Sequence, residues 1–241
     1  MSAAVLRAYD AAAVVIPAHN ERAKLPVCLR AVLTATLCAP IPVTVVVVLD
    51  DSDDDSAELA GQYGPDVHFV SVDVHNVGAA RAVGFGYARS LLGHDTDCWY
   101  ATTDADSRVD PGWLVYQLGL GADMVLGVVR VPDWRHHDVD VVDRYMRSYE
   151  SGPRDRSGQH EHIHGANMGF SARAYWRVGG FRTLSSSEDV DLVERFEAAG
   201  YCIHRDTELS VITSARTRAR APHGFAHHLR QLGRSAAGDC V

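Results

Sequence analysis

Short apolar runs alternate with amphipathic stripes along the first hundred residues of the chain. An apolar run bounded by turn residues predicts a buried strand, whereas apolar residues three or four positions apart predict one face of a helix. Strands are predicted at 11–16, 43–49, 67–72 and 99–103, and helices at 26–37, 56–63 and 76–92. Because strands and helices alternate, the pattern predicts an α/β fold with a doubly wound, mostly parallel sheet.

The second half of the chain has a less regular pattern. It predicts a helix from 111, a strand at 122–131, helices at 138–149, 171–178 and 185–199, and short strands at 201–204 and 209–213. The polar stretch 151–162 has the length and composition of a binding loop or lid. Serine followed by Glu188 and Asp189 is typical of a helix N-terminus, so capping alone explains those acidic residues.

Two aspartates, Asp104 and Asp106, directly follow the strand predicted at 99–103. They would stand at the carboxyl edge of the sheet, where open α/β folds bind ligands. Two carboxylates this close repel each other unless a cation lies beside them, and a hard divalent cation takes carboxylate and phosphate oxygens readily. A solvated turn explains the same two residues, because aspartate is common in turns. Asp50 and Asp51 follow the strand at 43–49 in the same way.

The composition narrows the classes of protein. The chain has 241 residues and a formal net charge of −8, which argues against a nucleic-acid partner. No apolar run approaches the roughly 18 residues of a membrane helix, so we expect no integral membrane segment. The first residues lack the pattern of a signal peptide, and five scattered cysteines fit a reducing compartment. We therefore expect a cytoplasmic protein.

The helix predicted at 76–92 carries an arginine and two glycines. Arg81 lies in its first turns, where it would either reach a phosphate group or pair at the surface with the acidic residues 50–55. Gly84 and Gly86 weaken a helix, so a neighbouring element that needs the space would explain them.

Five short motifs, in this order, make the chain resemble the family 2 glycosyltransferases. They are Pro17-Ala18-His19-Asn20-Glu21, Asp50-Asp51-Ser52-Asp53-Asp54-Asp55, Asp104-Ala105-Asp106, Gly165-Ala166-Asn167-Met168-Gly169-Phe170 and Glu188-Asp189-Val190-Asp191-Leu192. The resemblance implies a GT-A fold in a single catalytic domain, 1–215. Its Rossmann-like nucleotide-binding half would be 12–106 and its acceptor-binding half 107–215, followed by a basic tail and helix at 216–241.

The resemblance also implies roles for individual residues. A nucleotide-diphospho-sugar donor would contact Pro17, Ala18, Asn20, Glu21, Asp50 or Asp51, Arg81, Asp104, Ala105 and Asp106. Mg²⁺ or Mn²⁺ would be held by Asp106, by Asp104 directly or through ribose and water, and by a histidine, either His223 or His164. Asp189 would be the general base that accepts the proton of the acceptor hydroxyl, with Glu188 orienting it or touching the acceptor. The acceptor would lie against His164, Gly165 and Asn167, and the transfer would invert the sugar's configuration.

The chain departs from the family pattern in several places. Ser52 stands where the family usually has glycine, so we expect a different turn there. The Q-x-x-R-W motif is absent, which argues against a processive polysaccharide synthase. Arg216, Arg218 and Arg220 would either close over the diphosphate or form a solvated basic stretch.

Functions of other classes stay open on the sequence alone. A non-catalytic sugar-nucleotide-binding or scaffold protein on the same fold would keep Asp50 and Asp51 but would not need Asp189. A nucleotidyltransferase would need a glycine-rich, basic first loop, which residues 17–22 do not supply. An aspartyl phosphatase would need a lysine late in the chain, and Lys24 is the only lysine.

Overall fold

The computed structural model describes residues 8–131, 142 and 162–214. Seven strands in these ranges form one sheet: β1 (Ala11–Ala18), β2 (Val43–Asp50), β3 (Val67–Val72), β4 (Cys98–Thr102), β5 (Met124–Arg130), β6 (Met168–Ser171) and β7 (Ile203–Ile212). The helices are α1 (Leu25–Cys38), α2 (Val77–Leu92), α3 (Trp113–Gly119), α4 (Ala172–Arg177) and α5 (Glu188–Ala198), with a 3₁₀-helix at Ser56–Leu59.

The order of the strands in the sheet is β3-β2-β1-β4-β6-β5-β7. β1 pairs in parallel with β2 and β4, β2 with β3, and β5 with β7. β6 runs antiparallel to both of its neighbours, β4 and β5. The predicted α/β fold with a mostly parallel sheet is therefore confirmed. β6 was not predicted from the sequence, because four residues are too few to show a period.

Two layers of helices cover the two faces of the sheet. On one face, α1 and α3 bury side chains such as Leu29 and Trp113 against the strands. On the other face, α2, α4 and α5 bury Phe85, Tyr175 and Phe196. The central strands are apolar on both faces because helices cover both.

The two glycines of α2 have different surroundings. A Cβ on Gly84 would lie 2.4 Å from Val15 Cγ1 and 2.9 Å from Val48 Cγ2, whereas a Cβ on Gly86 would meet nothing within 4 Å. Close packing of α2 on β1 and β2 thus explains Gly84 and leaves Gly86 unexplained.

Several local predictions differ from the structure. The helix predicted at 56–63 is only the 3₁₀-helix. The two short strands predicted at 201–204 and 209–213 are one strand, β7, and its pairing with β5 shifts in register between Gly127 and Val128 of β5. Ser187 precedes α5 with φ 61° and makes no side-chain cap. The predictions at 138–149 and 151–162, except at 142 and 162, and those at 216–241 lie outside the described residues. In the part of the chain that the structure describes, no helix has the length and apolarity to cross a bilayer.

The parallel strands β1, β2 and β4 end at one edge of the sheet. Ala18 of β1 is paired with Leu49 of β2, and Val15 of β1 with Thr102 of β4. The loops that follow these strands, 19–24, 51–55 and 103–107, therefore lie side by side. The start of α2, which follows β3, lies at the same edge.

Candidate active site

The loops after β1 and β2 are hydrogen-bonded to each other. The Asn20 backbone N–H donates to Ser52 Oγ at 3.2 Å, and Asn20 Oδ1 accepts from the Asp53 N–H at 2.9 Å. Ser52 Oγ in turn donates to the Ala18 carbonyl oxygen at 3.4 Å. Ser52, the residue that replaces the family's glycine, thus joins the two loops into one rim of the site.

Asp50 and Asp51 occupy different environments. The buried Asp50 carboxylate accepts hydrogen bonds from the backbone N–H groups of Val74, His75 and Asn76 at 2.8, 2.9 and 2.9 Å. These three donors hold Asp50 against the loop before α2, and its contact with the nucleotide stays a prediction. Asp51 is exposed with φ 47° and lies 3.2 Å from His75 Nδ1. Of the two aspartates, Asp51 is the one placed to face a ligand.

The remaining predicted residues of the rim contribute little side-chain surface. Ala18 and Ala105 are each 3% exposed, so they offer almost no surface to a ligand. Glu21 is also buried, and its carbonyl oxygen accepts from the N–H groups of Lys24 and Leu25, where α1 begins. Pro17 is a half-buried residue of β1.

A buried guanidinium joins the loop after β4 to the start of α5. Arg81 of α2 is 3% exposed; its Nη2 donates to Asp104 Oδ1 at 2.9 Å and its Nη1 to Glu188 Oε1 at 2.5 Å. The expectation that Arg81 lies at the surface beside residues 50–55 is therefore wrong. Its contact with a phosphate stays a prediction, and both of its terminal nitrogens already donate to carboxylates.

Two glycines allow the elements around Arg81 to approach closely. A Cβ on Gly165 would lie 2.6 Å from Arg81 Nη2, and a Cβ on Gly78 would lie 3.0 Å from Glu188 Cβ. The Gly165 N–H also donates to Asp189 Oδ2 at 2.8 Å. The sequence motif drew attention to Gly165, but only the packing shows that it accommodates Arg81 and orients Asp189.

Two carboxyl groups near Arg81, those of Asp104 and Asp189, have raised pKa values. Although 39% of the Asp104 side chain is exposed, desolvation of its carboxyl outweighs the attraction of Arg81 and, with the nearby Asp106 charge, raises its pKa to about 6. Desolvation and the Glu188 charge also raise the pKa of Asp189, against the opposing effect of Arg81. The Arg81 pKa is raised by these carboxylates despite its burial, so the guanidinium stays protonated. A carboxylate with a raised pKa is suited to accept a proton.

Asn167 belongs to the core of the sheet and does not face a ligand. It is fully buried; its Oδ1 accepts from Trp113 Nε1 at 2.9 Å, and its Nδ2 donates to the carbonyl oxygens of Val128 and Leu209 at 2.9 and 2.8 Å. These bonds contradict the predicted contact between Asn167 and an acceptor. Asn167 instead ties β5 to β7 beside the shift in their register.

Asp106 lies in a cluster with two residues that the sequence analysis did not assign to the site. Its carboxylate accepts a hydrogen bond from Ser214 Oγ and lies 3.9 Å from Lys24 Nζ. Lys24 Nζ donates to Ser214 Oγ at 2.8 Å. Lys24 and Ser214 are 190 residues apart, so no local pattern in the sequence indicates the contact.

Among the residues that the structure describes, the carboxylates of the site outnumber its cations. The carboxylates are Asp104, Asp106, Glu188 and Asp189, and the described cations are Arg81 and Lys24. A divalent cation would balance the excess, and the oxygens of Asp104 and Asp106 are ligands that Mg²⁺ and Mn²⁺ accept. The residues present therefore fit such a cation. The predicted third ligand His223 lies outside the described residues, and His164 is half-buried next to Gly165.

The family model of Glycosyl transferase family 2 matches residues 13–179. The chain belongs to this family. The matched range includes four of the five motifs, from the loop after β1 to the stretch around Gly165, and confirms the resemblance stated above. No curated protein matches the chain in sequence.

Solved structures of similar fold include two glycosyltransferases. S. aureus TarS 1–349 in complex with UDP-GlcNAc is 13% identical with a TM-score of 0.64, over 94% of this chain and 65% of that chain. The mannosyltransferase PcManGT from Pyrobaculum calidifontis, in complex with GDP-Man and Mn²⁺, is 19% identical with a TM-score of 0.61, over 98% of this chain and 69% of that chain. The family 2 chain described here thus spans 65% of the TarS fragment. At sequence identities of 13% and 19%, the structural similarity establishes the shared GT-A fold.

Proposed function

We propose that this family 2 chain is a glycosyltransferase that moves a sugar from a nucleoside-diphosphate sugar to an acceptor hydroxyl. The observation that carries the proposal is the bridge made by Arg81, which contacts Asp104 at 2.9 Å and Glu188 at 2.5 Å. This bridge brings the loop after β4 and the two carboxylates at the start of α5 into one site. A direct displacement needs the donor and the general base to be held close together. Arg81 contacts the proposed donor-binding loop on one side and the helix with the candidate base on the other.

The donor would lie along the carboxyl edge of β1, β2 and β4. Asp51 and the rim around Asn20 are proposed to contact the base and ribose, and residues 12–106 would form the nucleotide-binding half. The TarS structure contains UDP-GlcNAc and the PcManGT structure contains GDP-Man with Mn²⁺, which supports the same class of donor here. Mg²⁺ or Mn²⁺ at Asp104 and Asp106 would supply stabilisation of the charge that develops on the leaving diphosphate.

Asp189 is proposed to accept the proton of the attacking hydroxyl. Its raised pKa makes it a better proton acceptor than an ordinary aspartate, and the Gly165 N–H fixes one of its oxygens at 2.8 Å. Glu188 is held by Arg81 and would orient this end of α5. A base on the side of the sugar opposite the diphosphate supports inversion of configuration, with the acceptor against His164 and Gly165 in the half formed by 107–215.

A non-catalytic sugar-nucleotide-binding protein is the alternative of another class. Such a protein would bind its ligand with the rim and the loop after β4. Asp189 would have no function in such a protein. Its raised pKa indicates that the ionised form of its carboxyl group destabilises the fold. We therefore favour the enzyme.

Calorimetric titration with a panel of nucleoside diphosphates, with and without Mn²⁺, tests the donor site. We expect Mn²⁺-dependent binding of at least one of them by the wild-type chain and its loss in Asp106→Asn. Asp66→Asn, in an exposed loop, is the matched control and should bind as the wild type does. Absence of binding to every nucleoside diphosphate in the wild type would contradict the proposal. Binding that is unchanged by Mn²⁺ and by Asp106→Asn would contradict the metal assignment.

A further inference from the structure

The cluster of Lys24, Asp106 and Ser214 joins three distant segments at the mouth of the proposed donor site. Lys24 is the residue before α1, Asp106 lies in the loop after β4, and Ser214 follows β7. The ammonium of Lys24 lies 3.9 Å from the Asp106 carboxylate and donates to Ser214 Oγ at 2.8 Å. The same serine hydroxyl donates to Asp106. A lysine charge thus stands beside the aspartate that the proposed function assigns to a divalent cation.

The Lys24 side chain is more exposed to solvent than the Asp106 side chain. The Asp106 side chain is 14% exposed, whereas the Lys24 side chain is 41% exposed. Ion pairs with one solvated partner are weak, because water solvates the ammonium almost as well as the carboxylate does. Lysine also has a long flexible stem, so its ammonium can move several ångströms without any change in the backbone. The contact with Asp106 can therefore be exchanged for another at little cost.

A lysine ammonium and a divalent cation cannot both lie against Asp106 without repelling each other. A diphosphate changes this balance, because its oxygens can accept the ammonium while they also contact the metal ion. Arg81 is poorly placed for that part, because it is 3% exposed and its terminal nitrogens already donate to Asp104 and Glu188. Of these two cations, Lys24 is the one beside Asp106 and the one exposed enough to turn towards a phosphate.

We propose that Lys24 is an exchangeable cation of the donor site. In the ligand-free chain its ammonium balances Asp106; when a nucleoside diphosphate arrives with a divalent metal ion, the metal replaces the ammonium at Asp106 and Lys24 turns onto a phosphate oxygen. The inference rests on the proposed function and deepens it. Its consequence is that Lys24 makes the metal and the nucleotide bind synergistically: it weakens binding of the metal alone and strengthens binding of the diphosphate.

Two binding measurements on Lys24→Met test this exchange without any measurement of activity. The first is the dissociation constant of Mn²⁺ alone, from the electron paramagnetic resonance signal of free Mn²⁺. The second is the dissociation constant of the nucleoside diphosphate at saturating Mn²⁺, from calorimetry. We expect Lys24→Met to bind Mn²⁺ alone several-fold more tightly, because a competing charge is gone. We expect it to bind the diphosphate about tenfold more weakly, because a charge-assisted hydrogen bond is lost.

Lys24→Arg is the matched control, since it retains the charge at the same place and should stay near the wild type in both measurements. The opposite signs of the two changes in Lys24→Met distinguish exchange from a merely structural role, which would weaken both ligands together. Weaker binding of Mn²⁺ alone, or unchanged binding of the diphosphate, would overturn the inference while leaving the proposed function intact. A wild-type chain that binds no nucleoside diphosphate would overturn the proposed function itself.

Discussion

At the scale of the single residue, Arg81 determines the electrostatics of the site. A buried charge is tolerated only when it is paired and hydrogen-bonded, and Arg81 meets that condition through Asp104 and Glu188. The same guanidinium lies near enough to Asp189 to oppose the rise in that residue's pKa. Because desolvation still dominates, Asp189 keeps a raised pKa and hence the basicity that the proposed reaction requires.

Replacing Asp189 by asparagine should remove the proton acceptor and preserve its shape. We expect Asp189→Asn to lower the turnover number by at least about 10²-fold, the usual contribution of a general base. Transfer to water, measured as hydrolysis of the donor, gives the rate, and calorimetry should give an unchanged dissociation constant for the nucleoside diphosphate. Asp191→Asn on the same helix, where Asp191 pairs with Arg182 and Arg195, is the control. An undiminished rate in Asp189→Asn would exclude Asp189 as the base.

The raised pKa of Asp189 also predicts how stability depends on pH. A carboxyl whose pKa is higher in the folded than in the unfolded chain stabilises the fold below the unfolded pKa, and that contribution is lost as pH rises through the folded pKa. Asp189→Asn does not ionise, so it should unfold at a higher temperature than the wild type at pH 7. The difference should shrink as the pH is lowered towards about 4, near the ordinary aspartate pKa. Thermal unfolding of both proteins between pH 4 and 8 measures this; a wild type that is the more stable at pH 7 would contradict it.

At the scale of the element, helix α2 positions Arg81 through its close contact with the sheet. The helix begins after Asn76, whose Oδ1 accepts from the Ala79 N–H at 2.9 Å and whose Nδ2 donates to the Leu184 carbonyl oxygen at 2.6 Å. One turn further on, Arg81 points to the site, and Gly84 lets the helix lie against β1 and β2. The start of α2 therefore sets the distance between the loop after β4 and α5.

The two glycines of α2 give a matched pair of substitutions. Gly84→Ala should destabilise the fold by about 1–3 kcal/mol, because its Cβ would overlap Val15 and Val48. Gly86→Ala should stabilise it by about 0.5–1 kcal/mol, because nothing lies within 4 Å of the new Cβ and alanine favours the helix. Denaturant unfolding of both variants measures the two free energies. Equal effects of the two substitutions would show that α2 does not pack as closely as the structure indicates.

At the scale of the whole molecule, one ion-pair network connects the parallel half of the sheet with helix α5. Arg81 belongs to the first half of the chain and Glu188 to the second, 107 residues later. Breaking a buried ion pair leaves an uncompensated charge, which is far more costly than the pair is stabilising. The two halves are therefore held in one relative position by Arg81 as well as by the sheet.

A double-mutant cycle tests that coupling. Arg81→Met should lower the free energy of unfolding by about 3–5 kcal/mol, because the buried Glu188 and the half-buried Asp104 are left without a counter-charge. Adding Glu188→Gln to Arg81→Met should recover part of the loss, since one unpaired charge is removed. Denaturant unfolding of the wild type, the two single variants and the double variant supplies the coupling energy. A double variant that is as unstable as the sum of the two single changes would show that the pair is not coupled.

Much of the fold was predictable because it follows from the local pattern of apolar and polar residues along the chain. The apolar runs of β1, β2 and β4 and the stripes of α1 and α2 have the periods of buried strands and amphipathic helices, and all appear within a few residues of the predicted bounds. β6 was not predicted, and β7 was predicted in two pieces, because the first is short and polar residues interrupt the second. The residues of the site were drawn from ordered motifs, but Asn167 proved to be a buried residue of the core.

By itself, the sequence determined the fold class, the family and the edge of the sheet at which aspartates collect, because these follow from periodicity and from motifs read in order. Only the tertiary structure decided which carboxylates pair with Arg81, that three backbone N–H groups hold Asp50 and buried partners saturate Asn167, and that Lys24 and Ser214 stand beside Asp106. The physical reason is that hydrogen bonds and ion pairs depend on distances of about 3 Å between atoms from distant segments. Spacing along a chain records which residues are neighbours within an element, whereas packing decides which elements meet.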